Sequence, residues 1–161
     1  MKVTTELLEE VLTSDNLAQA WKRVKANQGA PGIDGMTIGD FPDHARAHWS
    51  EIRQQIREGR YQPQAVRRVE IPKPGGGKRL LGIPTVMDRV VQQAVAQVLT
   101  PIFDPTFSES SFGFRPGRNA HQAIRQVQAT VKGGRSIAVD IDLAKFFDTV
   151  NHDVLMNLLG R

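Results

Sequence analysis

The chain has 161 residues, no cysteine, 24% charged residues and a formal net charge of +4. That length fits one domain with a real core; without cysteine, disulfides and thiolate metal sites are excluded, and a reducing or indifferent compartment, the cytoplasm, is expected. No apolar run approaches the roughly 18 residues of a membrane helix, and the first six residues lack the apolar stretch of a secretion signal, so no membrane partner is expected.

Residues 5–27 read as helical, with a break at Ser14-Asp15-Asn16 where Asp15 suits an N-cap. Leu17, Ala20, Trp21 and Val24 then recur on one helical face. Residues 28–35 form a loop by their glycines and proline. Another helix fits about 42–58, with Gly59 where a C-terminal cap belongs. His44 and His48 lie one turn apart on it, but without a third ligand they read as surface residues. Trp21, Trp49 and Tyr61 read as core or interface anchors rather than a cofactor box.

Residues 60–89 carry seven Lys/Arg against two Asp/Glu, whereas residues 1–59 carry seven against nine. Within that basic stretch Val66 to Ile71 alternates apolar and charged residues, Pro72-Lys73-Pro74-Gly75-Gly76-Gly77 is a turn, and Arg79 to Ile83 returns as a partner strand. The result is a basic β-hairpin. It is no Walker loop, because no Ser or Thr follows the lysine. A glycine-rich tip bearing Lys and Arg can still fold over a triphosphate; an ordinary solvated turn fits the same residues.

Val90, Val91, Ala94, Val95, Val98 and Leu99 make a wide apolar stripe, hence a buried helix face. Residues 111–135 are the second basic block, with five Lys/Arg and no acid. There Phe112-Gly113-Phe114-Arg115-Pro116-Gly117-Arg118 interleaves aromatics that can stack on bases with arginines that can bind phosphate; buried phenylalanines anchoring a loop are the alternative. Asn119 caps a helix running to about Lys132, ended by Gly133-Gly134.

Ile137-Ala138-Val139-Asp140-Ile141 reads as a β-branched strand, and after Leu143 the pattern turns helical through Leu159. The order of helices, hairpin, helices, strand and helix makes the class α+β. Asp140 and Asp142 would share one face of the strand, the arrangement by which carboxylates at a strand end hold divalent cations; a strand emerging into solvent with acids at its tip fits equally. A lone strand cannot satisfy its backbone groups, so the sheet is expected to need strands this chain does not supply.

In order, these blocks resemble bacterial group II intron reverse transcriptases, especially the IIC-like class. Asn27-Gln28-Gly29-Ala30-Pro31 with its flanks resembles the family's N-terminal loop over the template–primer. Val69-Glu70-Ile71-Pro72-Lys73-Pro74 through Gly82-Ile83-Pro84-Thr85, then Asp88-Arg89, resembles the first fingers motif, and Phe107-Ser108 to Arg118 the second. Asp142-Leu143-Ala144-Lys145-Phe146-Phe147-Asp148 with Asn151-His152 resembles the palm motif bearing the first catalytic aspartate.

The resemblance implies a right-hand polymerase: an N-terminal extension and fingers over residues 1–135 and the first strand and helix of a palm over 136–161. It implies Asp142 as a Mg²⁺ ligand with the Leu143 carbonyl, Phe147 as a steric gate, and Lys73, Arg79 and Arg115 about the incoming dNTP. Arg67, Arg68, Lys78 and Arg118, with residues 27–31, would touch RNA template, DNA or RNA primer, or intron RNA. The family's Tyr-Ala-Asp-Asp-type motif is absent, as are the rest of the palm, the thumb and the maturase domain, so the chain alone is expected to be inactive. It is also expected to self-associate through its unpaired strand edge. The rival expectations are a maturase-like intron-RNA-binding module without catalysis, and another palm-type enzyme such as a retron polymerase.

Overall fold

The structure, a computed structural model, describes residues 2–159, with the side chains of residues 6–147 and 149–159. The chain forms two compact units, Met1–Phe103 and Asp104–Arg161.

The first unit holds α1 (Lys2–Val11), α2 (Ser14–Ala26), α3 (Phe41–Arg57), β1 (Arg67–Pro72), β2 (Lys78–Ile83) and α4 (Val86–Phe103). The expected break between the first two helices is present, but the cap is Thr13, not Asp15. Thr13 has extended backbone and its hydroxyl accepts the Asn16 N–H at 3.4 Å. Asp15 instead lies in the first turn, where a negative charge meets the positive end of the helix. At the far end of α3, Gly59 takes φ +65°, the left-handed conformation expected of a C-terminal cap.

Apolar periodicity becomes a core here. Leu17, Ala20 and Val24 of α2 pack with Val86, Val90, Ala94 and Val98 of α4, joined by Val11, Leu12, Phe41 and Ile52. The Trp21 ring lies 4.5 Å from that of Phe41; it, Trp49 and Tyr61 border this core as anchors. Asn16 fastens the α1–α2 turn to α4: its Nδ2 donates to the carbonyls of Val11 and Ala94 at 3.0 and 3.1 Å, and its Oδ1 accepts from Gln97 at 2.6 Å. The hairpin is antiparallel, with Val69 opposite Leu81 and Arg67 opposite Ile83. Those four residues form its half-buried face, while the tip is exposed.

The densest polar node lies at the start of α4. Asp88 is 2% exposed and accepts from the Tyr61 hydroxyl at 2.6 Å, the Thr85 hydroxyl at 2.6 Å and the Gln64 N–H at 3.2 Å. Burial, then the Asp88 carboxylate, raise the Tyr61 pKa, so this phenol stays protonated and donating. The same node explains Gly32. A Cβ there would stand 2.6 Å from the Thr85 Cα and 2.8 Å from its N.

The second unit holds a 3₁₀ turn (Asp104–Thr106), α5 (Ala120–Lys132), α6 (Phe146–Thr149) and α7 (His152–Leu159). Asn119 forms the expected cap, a full capping box with Gln122. Two expectations fail. Residues 137–141 form no strand, because a strand exists only when its backbone groups pair and the described residues offer no partner. Nor is the stretch after Leu143 one helix: it breaks at extended Val150 (φ −60°, ψ 124°), and the Asn151 side chain caps a new start by accepting the Val154 N–H at 3.0 Å. Among the described residues no helix is long and apolar enough to cross a membrane.

Two substitutions test the node at the start of α4. Asp88→Ala leaves two hydroxyls and one N–H without their acceptor and is expected to cost about 1–3 kcal/mol or more. Gly32→Ala is expected to cost about 1–3 kcal/mol by forcing backbone apart. Urea unfolding of both variants, beside Gly75→Ala, whose added methyl would meet nothing within 4 Å and whose φ is not positive, checks that close approach rather than glycine content decides the effect.

Candidate nucleotide and nucleic-acid interface

In the first unit the candidate residues fall on two features. The hairpin tip is closed by hydrogen bonds from the Lys73 N–H to the Gly77 carbonyl at 3.0 Å and from the Gly76 N–H to the Lys73 carbonyl at 3.1 Å. Gly76 and Gly77 both take positive φ, +90° and +80°, which side chains would resist. Lys73 and Arg79 line a concavity of about 570 Å³ with Ile71, Pro72 and Pro74. Among the described residues neither cation is in an ion pair, whereas Lys78 is paired with Glu70 across the strands. Arg68 is exposed, but Arg67 belongs to the half-buried face, and its Nε is buried without a hydrogen-bond partner.

The second feature is the loop after α2. Asn27 and Gln28 are exposed and Gln28 takes φ +48°. The Arg89 side chain reaches this loop from α4, donating from Nη2 to the Ala30 carbonyl at 2.8 Å and from Nε to the Thr85 carbonyl at 3.4 Å. A Cβ at Gly29 would meet the Arg89 Nη1 at 2.2 Å. The loop is thus moulded onto the N-terminus of α4, with Asn27 and Gln28 exposed at its outer side and the Gln28 Nε2 donating to the Lys25 carbonyl at 3.0 Å. Sequence reasoning noted Asp88-Arg89 as a motif without finding these roles, because a hydrogen bond spanning 59 positions leaves no local pattern.

In the second unit Arg115 is engaged at every N–H. Its Nε donates to Asp104 Oδ1 at 2.8 Å, Nη1 to the carbonyls of Ser108 and Ser111 at 2.9 and 3.2 Å, and Nη2 to the Asp104 carbonyl and Oδ2 at 2.8 and 3.3 Å. The side chain is only 7% exposed and also covers the Phe107 ring. This arginine clips a loop shut, and a phosphate would have to displace those partners. Arg118 is paired with Glu109 at 2.5 Å and lies over the Phe112 ring.

Asp142 is exposed, and its Oδ1 accepts the Leu143 N–H at 2.9 Å. Leu143 is exposed, and Phe147 is 87% exposed with its ring edge-on to Phe146 at 5.3 Å. Among the described residues no three His, Cys, Asp or Glu side chains converge as a metal site. His44 and His48 lie with their rings 4.6 Å apart, outside any such cluster. One exposed carboxylate does not make a two-cation donor set, so the residues present do not fit a complete magnesium site.

Residues 71–161 match the family model described as reverse transcriptase (RNA-dependent DNA polymerase). The chain belongs to this family. Its relatives in this reverse transcriptase family include intron-encoded proteins. It is 38% identical to Protein YkfC of Escherichia coli K12, over 96% of this chain and 42% of that protein. It is 35% identical to the group II intron-encoded protein LtrA of Lactococcus lactis, over 99% of this chain and 26% of LtrA. It is also 40% identical to nuclear intron maturase 1 of Arabidopsis thaliana, over 48% of this chain and 11% of the maturase. The chain is thus a region of a group II intron-type reverse transcriptase/maturase. It spans less than half the length of each of these relatives.

The Arg115 clip carries a pH dependence. Its hydrogen bond and charge hold the Asp104 carboxyl below the usual carboxylate range. A depressed folded-state value stabilises the loop fully above the ordinary aspartate pKa of about 3.9, and that contribution is lost as pH falls through the depressed value. Amide protection factors across residues 104–118, which correct for the intrinsic pH dependence of exchange, are expected to fall in acid below that point. Asp104→Asn should produce the lower protection already at neutral pH.

Proposed function

We propose that this reverse transcriptase chain supplies the N-terminal extension and fingers (residues 1–135) and the start of the palm (residues 136–161) of an RNA-directed DNA polymerase. The hairpin tip carries the reading: two cations, Lys73 and Arg79, without ion pairs among the described residues, border one concavity on a glycine turn. Arg is suited to bidentate contact with phosphate oxygens and Lys to a point-charge contact, so this tip is assigned to the dNTP triphosphate. Asp142, with the Leu143 carbonyl, is assigned as one part of a magnesium site that needs further carboxylates, and Phe147 as the gate against a ribose 2′-hydroxyl. For the template–primer, residues 27–31 with Arg67, Arg68 and Lys78 are assigned in the first unit and, separately, Arg118 in the second; Lys78 and Arg118 would have to leave Glu70 and Glu109 to reach phosphate. Arg115 acts by shaping its loop.

A second reading, intron-RNA binding by this region without catalysis, is favoured by one observation. Residues 110–139 contain no carboxylate, and Arg125, Lys132 and Arg135 form no ion pair among the described residues.

Primer extension tests the first reading. The chain alone is expected to extend nothing; joined with a separately made remainder of the parent polymerase, it should copy RNA into DNA. In the active pair Lys73→Ala and Arg79→Ala should raise the KM for dNTP at least tenfold. A well-folded pair that stays inactive while the full-length parent works sinks the assignment.

Residues 137–142, unpaired among the described residues, are also expected to recruit a second copy of the chain. Light scattering across a concentration series should show mass rising above 17.9 kDa, and a monomer throughout would refute this.

A further inference from the structure

Phe114 differs from the exposed apolar residues of α5 and of residues 137–141. Ile124, Val127 and Val131 recur on one stripe of α5, and Ile137, Val139 and Ile141 alternate along one segment. Those are periodic faces of elements that lack a packing partner among the described residues. Phe114 belongs to no such period. It takes φ +56°, a conformation that a bulky residue holds only where its surroundings impose it, and its ring is fully exposed, at 112%.

The loop that imposes this is built independently of the ring. The Arg115 guanidinium, next in sequence, spends all its N–H groups on Asp104, Ser108 and Ser111. Pro116-Gly117 forms a tight turn closed from the Arg118 N–H to the Arg115 carbonyl at 3.3 Å, with Gly117 at φ +69°. Two neighbouring phenylalanines are each covered by a guanidinium: Phe107 by Arg115 at 5.4 Å and Phe112 by Arg118 at 5.6 Å. Among the described residues nothing of that kind covers Phe114.

Charge selects the partner. Residues 110–139 hold five cations and no carboxylate. Arg115 and Arg118 are neutralised by Asp104 and Glu109, which leaves Arg125, Lys132 and Arg135. Arg125 and Lys132 are seven residues apart on α5 and so share one face. A protein pocket could take an aromatic ring without cations nearby. A partner that is both polyanionic and made of flat apolar faces uses both.

We propose that Phe114 is a preformed stacking platform for an unpaired base of single-stranded RNA, with the RNA phosphates drawn to Arg125 and Lys132. This rests on the RNA-binding reading above and names the residue that reads a base in it. Because the ring is already presented, binding orders few groups, and the contact should survive salt that screens the phosphates.

The 161-residue chain is titrated with single-stranded RNA oligonucleotides carrying 2-aminopurine at successive positions. Wild type and Phe114→Tyr are expected to bind and to quench the probe at one position. Phe114→Ala and Phe114→Leu should weaken binding roughly 5- to 150-fold, from the usual worth of one base stack, and lose the quench with the salt slope unchanged. Arg125→Gln with Lys132→Gln should lower that slope by about 1.4 and keep the quench. Circular dichroism confirms that each variant is folded. Wild-type affinity and quench in Phe114→Leu or Phe114→Ala, or no recovery in Phe114→Tyr, overturn the proposal alone. No RNA binding by the wild-type chain overturns the RNA reading with it.

Discussion

Asp88 has almost no access to water, and the contacts that position the hairpin base and the loop after α2 converge on it or on its neighbours. Its carboxylate ties down the segment leading into the hairpin through Tyr61 and Gln64, and it fixes the N-terminus of α4 through Thr85. One residue on, Arg89 hooks the loop after α2, and Gly32 lets that loop lie against the Thr85 backbone. A buried carboxylate is tolerable only with several donors directed at it. The node therefore selects one relative arrangement of the loop and the hairpin base, the two features that carry most of the candidate nucleotide and template contacts. Asp88-Arg89, within the stretch that matches the reverse transcriptase family model, acts here as architecture that positions other residues.

Arginine plays two distinct parts in this chain. Arg115, with its guanidinium divided between a carboxylate and three carbonyls, is spent on internal structure. Arg79 at the hairpin tip and Arg125 on α5 have no such partners among the described residues. The physical distinction is the cost of recruitment. A phosphate reaching Arg115 must break charge-assisted hydrogen bonds that shape the loop, whereas one reaching Arg79 displaces only water. A count of basic residues in a segment therefore overstates its capacity for polyanions, and the pairing pattern corrects it.

The two units also differ in what they bury. The core assembled by α2 and α4 lies entirely in the first, while the second exposes apolar stripes on α5 and α7 and along residues 137–141. Exposed periodic faces of this kind mark surfaces built to pack against something. Phe114 fits no period and is held by strain, which separates a contact residue from a core residue that lacks its neighbours.

The sequence by itself determined the local elements and the family. Periodicity laid out the four helices of the first unit and α5, the glycine-proline run defined the hairpin turn, and the ordered motifs marked a group II intron-type reverse transcriptase. These are properties of residues close in the chain, where side-chain spacing and backbone preference decide the outcome. Its errors arose where a distant partner decides. The β-branched run at 137–141 has strand propensity, but without a pairing partner propensity alone forms no strand. Asp15 had the right chemistry for a cap, yet Thr13 held the position with the extended backbone. Only the tertiary structure decided which charges are engaged: Arg115 is consumed by Asp104, Arg89 by Ala30, and Lys78 by Glu70, while Lys73 and Arg79 have no ion pair among the described residues. Hydrogen bonds and ion pairs depend on proximity in space, and for Arg89 and Ala30 that proximity spans 59 positions of chain, which no local pattern encodes.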